Sequence, residues 1–273
     1  MCVLLGISRS GYYQFLKQTD SNRKVWQQYI VNQIKQVYAE SKQVYGSPRI
    51  QESLLEKGIK VSRLTVERYM RTNGIRSIMR AKYVVTTDSK HNYKVCDNLL
   101  NRNFTTHAPA KAVVSDITYI NTQEGWLYLT TVIDLYDRKV IGKSISKTMD
   151  AKSTVIEAFK DAINRRSMNK NTIFHSDRGV QYACKEFTSL LQKYTPLQSM
   201  SRKGNCWDNA VAESFFASLK KECIRKKVFY SRQVAEAEIL SYIEWYNTKR
   251  IHSKLKYKTP LQKEVNFRTQ KVA

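Results

Sequence analysis

The chain has 273 residues, 42% of them hydrophobic, with nine glycines, four prolines and no run of about 18 apolar residues. This excludes a disordered chain and a membrane span, and allows one large domain or a medium domain plus a small one. Its 47 Lys and Arg against 23 Asp and Glu give a net charge of +24, divided as +11 over residues 1–110 and +13 over 111–273. That spread suits a long polyanion, DNA or RNA, although a basic surface can also serve solubility alone.

In chain order, the start MCVLLGISRSGYYQFLK has no charged region before its apolar stretch, so it reads as a small helix and not a signal peptide. Leu5 to Leu16 has some helix-turn-helix character, with Ser8 as a candidate N-cap. Structure this close to the first residue suggests a partner segment upstream or on another polypeptide. Trp26, Ile30, Ile34, Val37 and Tyr38 recur at the spacing of one helical face, giving an amphipathic helix over 23–41. Ser47-Pro48 reads as an N-cap followed by proline at the first helical position, for a helix over 48–57 that stops at Gly58. Ser62 caps a helix over 63–72 that stops at Asn73-Gly74. Two short helices joined by GIKVS form a helix-turn-helix outline. The second offers Arg63, Thr65, Glu67, Arg68 and Arg71 to bases or phosphates, or else is a plain solvated face. Residues 1–80 are thus read as a small all-α DNA-binding region. Residues 81–110 are read as a basic linker without periodicity, with the domain boundary near Pro109.

From 111 to 273 the pattern becomes α/β. Strands are expected over 112–120, 126–135 and 138–146 as an antiparallel meander, then a helix over 151–166 with Val155, Ile156, Phe159 and Ile163 inward. TIFHSD makes a short strand ending at Asp177, followed by a helix over 184–194 and a strand over 197–200. A long helix starts near Asp208-Asn209 and runs to about Ile224. The last helix, over 233–247, leads into a basic tail over 249–258. Five cysteines (Cys2, Cys96, Cys184, Cys206, Cys223) without a CxxC pair read as reduced, mostly packed thiols of a cytosolic protein. The four histidines do not join them at zinc-finger spacing.

This element order is that of an RNase H-like domain, with a mixed five-stranded sheet and flanking helices. Asp116 lies within the first strand, and Asp177 just past the end of the fourth, where open α/β sheets bind ligands. Glu213 lies on the late helix expected beside them. Each acid alone could be a cap, a turn residue or a solvated helix position. Together they suit phosphodiester chemistry, in which two Mg²⁺ or Mn²⁺ ions about 4 Å apart activate one oxygen and stabilise another. Clustered acids resist ionisation unless a cation joins them.

The blocks SDITYI (115–120), HSDRGVQY (175–182) and SMSRKGNCWDNAVAESFFASLKKE (199–222) resemble the catalytic region of bacterial insertion-sequence transposases of the IS-three family, second-reading-frame (OrfB) type, relatives of retroviral integrase. YIEWYNTKRIHSKLKYKTPLQKE (242–264) and the region 44–80 also resemble that family, so the likeness covers nearly the whole chain. The family separates its last two acids by 35 residues, as Asp177 and Glu213 are separated here. It carries a basic residue seven positions after the Glu, matching Lys220. Seven residues is close to two helical turns, so Glu213 and Lys220 share a face. The resemblance implies a DDE-type transposase with Asp116, Asp177 and Glu213 as catalytic and metal-binding residues, acting on the terminal repeats of an insertion sequence and on target DNA. It implies work as a homo-oligomer on DNA, a bacterial, cytoplasmic and nucleoid-associated location, and an upstream-frame (OrfA-type) fusion or partner. The family often has Trp shortly before the first acid, where this chain has Val113 and Val114. No heptad run is present.

Around the acids, Arg202, Lys203 and Asn205 lie in a basic loop read as touching DNA, as is Lys220, or in an ordinary solvated loop. Asp208 and Asn209 could cap the Glu213 helix or act in catalysis. His175 reads as a packed strand histidine. Asp134 and Asp137 flank a strand end, with Arg138 pairing locally. Asn247, Arg250 and His252 could touch DNA or brace the core. Two other functions fit the sequence less closely: an RNase H-like nuclease without joining activity, and a helix-turn-helix regulator with an inactive core.

Overall fold

The computed structural model of the protein describes residues 2, 4, 6–17, 20–77, 95–194, 197–225 and 227–272. The chain divides into two compact units, Met1–Ile78 and Met79–Ala273. The first is all-α and the second α/β.

The first unit holds α1 (Arg9–Lys17), α2 (Asn22–Glu40), α3 (Ser47–Glu56) and α4 (Arg63–Thr72). Ser8 Oγ accepts from Gly11 N at 3.1 Å ahead of α1, and Ser21 does the same for Lys24 N at 3.3 Å ahead of α2. The inner face of α2 is Ile30, Val31, Ile34 and Val37. Trp26, placed on that face by its spacing, stays 46% exposed, because the packed face begins one turn later. Ile50 and Leu54 of α3 meet this face together with Val66, Tyr69 and Met70 of α4. Ser47 is not the cap of α3. It is already helical, and Gly46 takes the cap position without a side-chain bond. Gly58, with φ +79°, ends the helix in the left-handed region that favours glycine. Ser62 caps α4 by accepting from Thr65 N at 3.2 Å. Arg63, Arg68 and Arg71 are all exposed.

The second unit is built on a sheet of β1 (Ala112–Thr122), β2 (Gly125–Asp134), β3 (Val140–Ser146), β4 (Ile173–Ser176) and β5 (Leu197–Met200). The order is β3-β2-β1-β4-β5. β1–β2 and β2–β3 pair antiparallel, while β1–β4 and β4–β5 pair parallel. The helices are α5 (Glu157–Arg165, after a π-turn over Lys152–Ile156), α6 (Val180–Ala183), α7 (Lys185–Tyr194), α8 (Ala210–Leu219), α9 (Arg232–Thr248) and α10 (Pro260–Val272). Val113, Val132, Ile141, Phe159, Phe174 and Phe187 form the core between the sheet, α5 and α7. Gly142 lets α5 approach β3, since a Cβ there would sit 2.3 Å from Ala158 O.

Three segments depart from the sequence reading. Residues 81–94 of the expected linker lie outside the described residues, but residues from 95 onward belong with the α/β unit. Val95 and Cys96 pack on its core, and Leu99 N donates to Ser199 Oγ at 2.9 Å. The basic tail over 249–258 is ordered by a bridge between His252 and Lys258. The unforeseen α10 then docks through Glu264, which accepts from Lys139 Nζ at 2.5 Å, and through Phe267 edge-on to Tyr136. Asp134 and Asp137 pair with Arg166, at 2.6 and 2.8 Å, and not with Arg138, whose Nη2 donates to Phe104 O at 2.8 Å.

Candidate active site

The parallel register of β1 and β4 sets Val114 beside His175. Two residues further along come Asp116 within β1 and Asp177 just past the end of β4. β4 ends at Ser176 while β1 continues to Thr122, so β1 is left without a β4 partner at the level of Asp116. Side chains alternate along a strand, so Asp116 faces away from Val113 and Ile117, which meet the core under α5. Asp177 is fixed by its own turn, where its Oδ1 accepts from Gly179 N at 2.9 Å. A Cβ on Gly179 would lie 3.0 Å from that oxygen, a tight contact that would make the Asp177 carboxyl give by a few tenths of an ångström.

Glu213 arrives on α8, whose Ala212, Phe215, Phe216 and Leu219 are buried while Glu213 is half-buried. After Leu219 the helix passes into a π-turn over Lys220–Ile224, a local widening often found at functional sites. Glu222 in that turn is held by Arg250 through two bonds, of 2.9 and 2.7 Å, and by Tyr242 Oη at 2.7 Å. Asn247 brackets β3 by donating to Val140 O and accepting from Val140 N, both at 3.0 Å. His252 lies edge-on to Tyr246 with centroids 4.6 Å apart. These three contacts brace the core around α9.

Electrostatics join the acids. The Asp116 carboxyl is pushed well above the usual carboxylate range, first by burial and then by the Asp177 charge. The Ile117 N–H opposes this, Glu213 adds to it, and Lys220 opposes it. Burial also raises Glu213 and lowers Lys220, the latter partly offset by the attraction of Asp116. Beneath them Tyr182, whose hydroxyl is 2.8 Å from Ser115 Oγ, is pushed up by burial and by the charges of Asp116 and Asp177. Among the described residues, no three His, Cys, Asp or Glu side chains lie close enough to share one ion. The acids are neighbours in charge without closing on one point.

Asp208 and Asn209 do not act as side-chain caps of α8. Asn209 Nδ2 donates to Ser115 O at 3.1 Å. Asp208 is fully buried and accepts from Arg202 N, Nε and Nη2, from Arg102 Nε at 2.7 Å and from Asn98 Nδ2 at 2.9 Å. The Arg202 bonds hold its carboxyl well below the usual range. Arg202 is therefore engaged with Asp208, although its side chain stays 47% exposed. Arg102 Nη2 also reaches Asn205 Oδ1 at 3.1 Å, while Lys203 is exposed. His175 is a packed strand histidine between Ser199 and Ser201, at 2.8 and 3.2 Å, and burial pulls it down to about 4. Arg102, Asn98 and Tyr182 escaped the sequence reading. Tyr182 lies in the quoted HSDRGVQY block, whereas nothing periodic marks Asn98 or Arg102.

Residues 106–206 match the family described as Integrase core domain, and residues 197–260 match a second family of the same description. Residues 25–83 match the HTH-like domain family. Fold and matches together define a DDE-type integrase-core enzyme preceded by a helix-turn-helix unit. The chain is 39% identical over 256 residues to the transposase InsF for insertion sequence IS3A of Escherichia coli (strain K12), covering 93% of this chain and 88% of that protein. It is 38% identical over 256 residues to the insertion element IS600 uncharacterized 31 kDa protein of Shigella sonnei, covering 93% and 94%. Among solved structures, the catalytic core domain of BIV integrase is similar with a TM-score of 0.46 and 16% identity, over 60% of this chain and 99% of that one. The chain belongs to the IS3 family of insertion-sequence transposases. Among the described residues no helix is long and apolar enough to cross a membrane.

Proposed function

We propose that this transposase cuts and joins DNA strands at the ends of an insertion sequence, with Asp116, Asp177 and Glu213 as its acid set. The observation that carries this reading is the shared electrostatic neighbourhood of Asp116, Asp177, Glu213 and Lys220, beside the open stretch of β1. Carboxylates that raise one another's proton affinity favour a bound cation.

The donor set is all carboxylate, which fits Mg²⁺ or Mn²⁺. Mg²⁺ in particular is commonly held by one or two carboxylates, with water and substrate phosphate completing its shell. That fit does not need three side chains on one ion. Asp116 and Asp177 would share the ions and Glu213 would hold the second. When bound, two such ions supply activation of the attacking oxygen and charge neutralisation at the phosphate. Lys220 holds a DNA phosphate beside the acids, and its ammonium keeps the local charge from becoming purely repulsive. Lys203 and Asn205 meet the strand near the acids, and Arg202 does so through the exposed part of its side chain. In the first unit, Arg63, Arg68 and Arg71 on α4 contact the duplex, which makes residues 1–80 the recognition part and the α/β unit the cutting part. Two ends must meet, so the active form is a homo-oligomer on DNA, acting with an upstream-frame product or fusion.

The test is cleavage and joining of DNA ends in vitro with Mg²⁺ or Mn²⁺. Loss of both products in Glu213→Gln supports the reading, and full joining by that variant overturns it. Cleavage with no joined product under any condition would make the protein a nuclease.

A further inference from the structure

We propose that Trp207 is a stacking platform for an unpaired nucleobase at the mouth of the active site, an inference that rests on the DNA reading above. Trp207 lies in the 3-10 turn Cys206–Asn209 that leads into α8. The residue is 67% exposed, against 46% for Trp26, 53% for Trp126 and 8% for Trp245. The two residues that follow it are buried: Asp208 is 0% exposed and Asn209 4%. The exposure is therefore not that of a loose loop. Asp208 is gripped by Arg102, Arg202 and Asn98, its N–H donates to Asn205 O, and Asn209 is tied to Ser115 beside Asp116. A large apolar ring is thus held in water by a rigid turn six residues before Glu213.

The surroundings identify the occupant. The side chains of Arg102 and Arg202, whose guanidiniums fix the neighbouring Asp208, remain 44% and 47% exposed, and Lys203 is exposed in the same loop. An exposed aromatic ring among cations is the arrangement that binds single-stranded nucleic acid, with phosphates on the cations and a base on the ring. Stacking needs a free base face, which the interior of a paired duplex does not offer, so the occupant is a nucleotide unpaired next to the bond being cut.

The test uses the full chain and two synthetic probes: a blunt DNA duplex, and the same duplex with a short unpaired tail carrying 2-aminopurine at each tail position in turn. The wild type is expected to bind the tailed duplex about tenfold more tightly than the blunt one and to quench the fluorophore at one position. Trp207→Ala should bind both probes within about twofold of each other and lose the quench, with blunt-duplex affinity unchanged, while Trp207→Phe keeps most of the preference. Retention of preference and quench by Trp207→Ala overturns the proposal. So does a change in its oligomeric mass without a change in preference, which would make Trp207 a contact between copies. Equal binding of both probes by the wild type removes the stacking alone, whereas binding of neither removes the DNA reading beneath it.

Discussion

The side-chain amide of Asn209 donates to the main-chain carbonyl of Ser115 across 3.1 Å. Asn209 stands four residues before Glu213 at the start of α8, and Ser115 stands one residue before Asp116 on β1. One hydrogen bond therefore sets the helix that carries one acid against the strand that carries another. Asn209→Ala should lower the rate of strand joining about 10- to 100-fold, because displacements near 1 Å at a reacting centre cost that much. The stability loss should be only about 1–2 kcal/mol, the range for one buried hydrogen bond. Joining kinetics and thermal melting check the two parts, and a melting shift with an unchanged rate would reduce the bond to scaffolding.

Lys220 is half-buried and its charge is opposed by burial yet supported by Asp116. An ammonium in that position gains most from a phosphate. Lys220→Ala should weaken DNA binding across sequences and reduce the slope of log K against log salt by about one. Lys220→Arg should keep the slope. Fluorescence-anisotropy titrations over a salt series give the answer, and an unchanged slope in Lys220→Ala would remove the phosphate contact.

The regular parts of this fold were legible because they repeat. β1 to β3 read as an antiparallel meander, the apolar stripe marked α2 and α5, and Leu197–Met200 read directly as a strand. The candidate acids came from the family resemblance, whose 35-residue spacing Asp177 and Glu213 match. What stayed hidden is ionic and long-range. Arg102 meets Asp208 across 106 positions and Lys139 meets Glu264 across 125, and no local pattern announces such pairs. That is why part of an apparent linker belongs to the α/β unit and why the polar α10, beyond the basic tail over 249–258, went unread. Asn209 misled for a related reason. Its type and place suit an N-cap, but a buried carbonyl on β1 took its amide instead.

Glu222 and Arg250 form an ion pair with side chains 4% and 6% exposed, beneath the π-turn that carries Lys220. Removing one partner of a buried pair leaves the other charged and unsolvated. Arg250→Ala should cost about 3–5 kcal/mol in urea unfolding, and replacing both residues with Met should cost less than that single change. If the double variant is the less stable, the pair itself contributes more than its desolvation costs.

Glu264 anchors α10, and its acidity gives a pH signature. Burial alone would raise its carboxyl. The hydrogen bond from Lys139, with the charges of Arg166, Lys139 and Arg268, outweighs burial and leaves it below the usual 4.5. A carboxyl depressed in the folded state stabilises fully above its unfolded value, and loses that contribution as pH falls from 4.5 through the folded value. In the same network Asp137 is raised, chiefly by burial, so its contribution runs the other way. Asp137 shares Arg166 with Glu264, so the comparison of wild type with Glu264→Gln reads Glu264 together with any change it passes to Asp137. Urea midpoints measured across this window should fall more steeply with acid in the wild type than in Glu264→Gln, with parallel curves above it. Curves parallel throughout would show that Glu264 holds α10 without linkage to its proton.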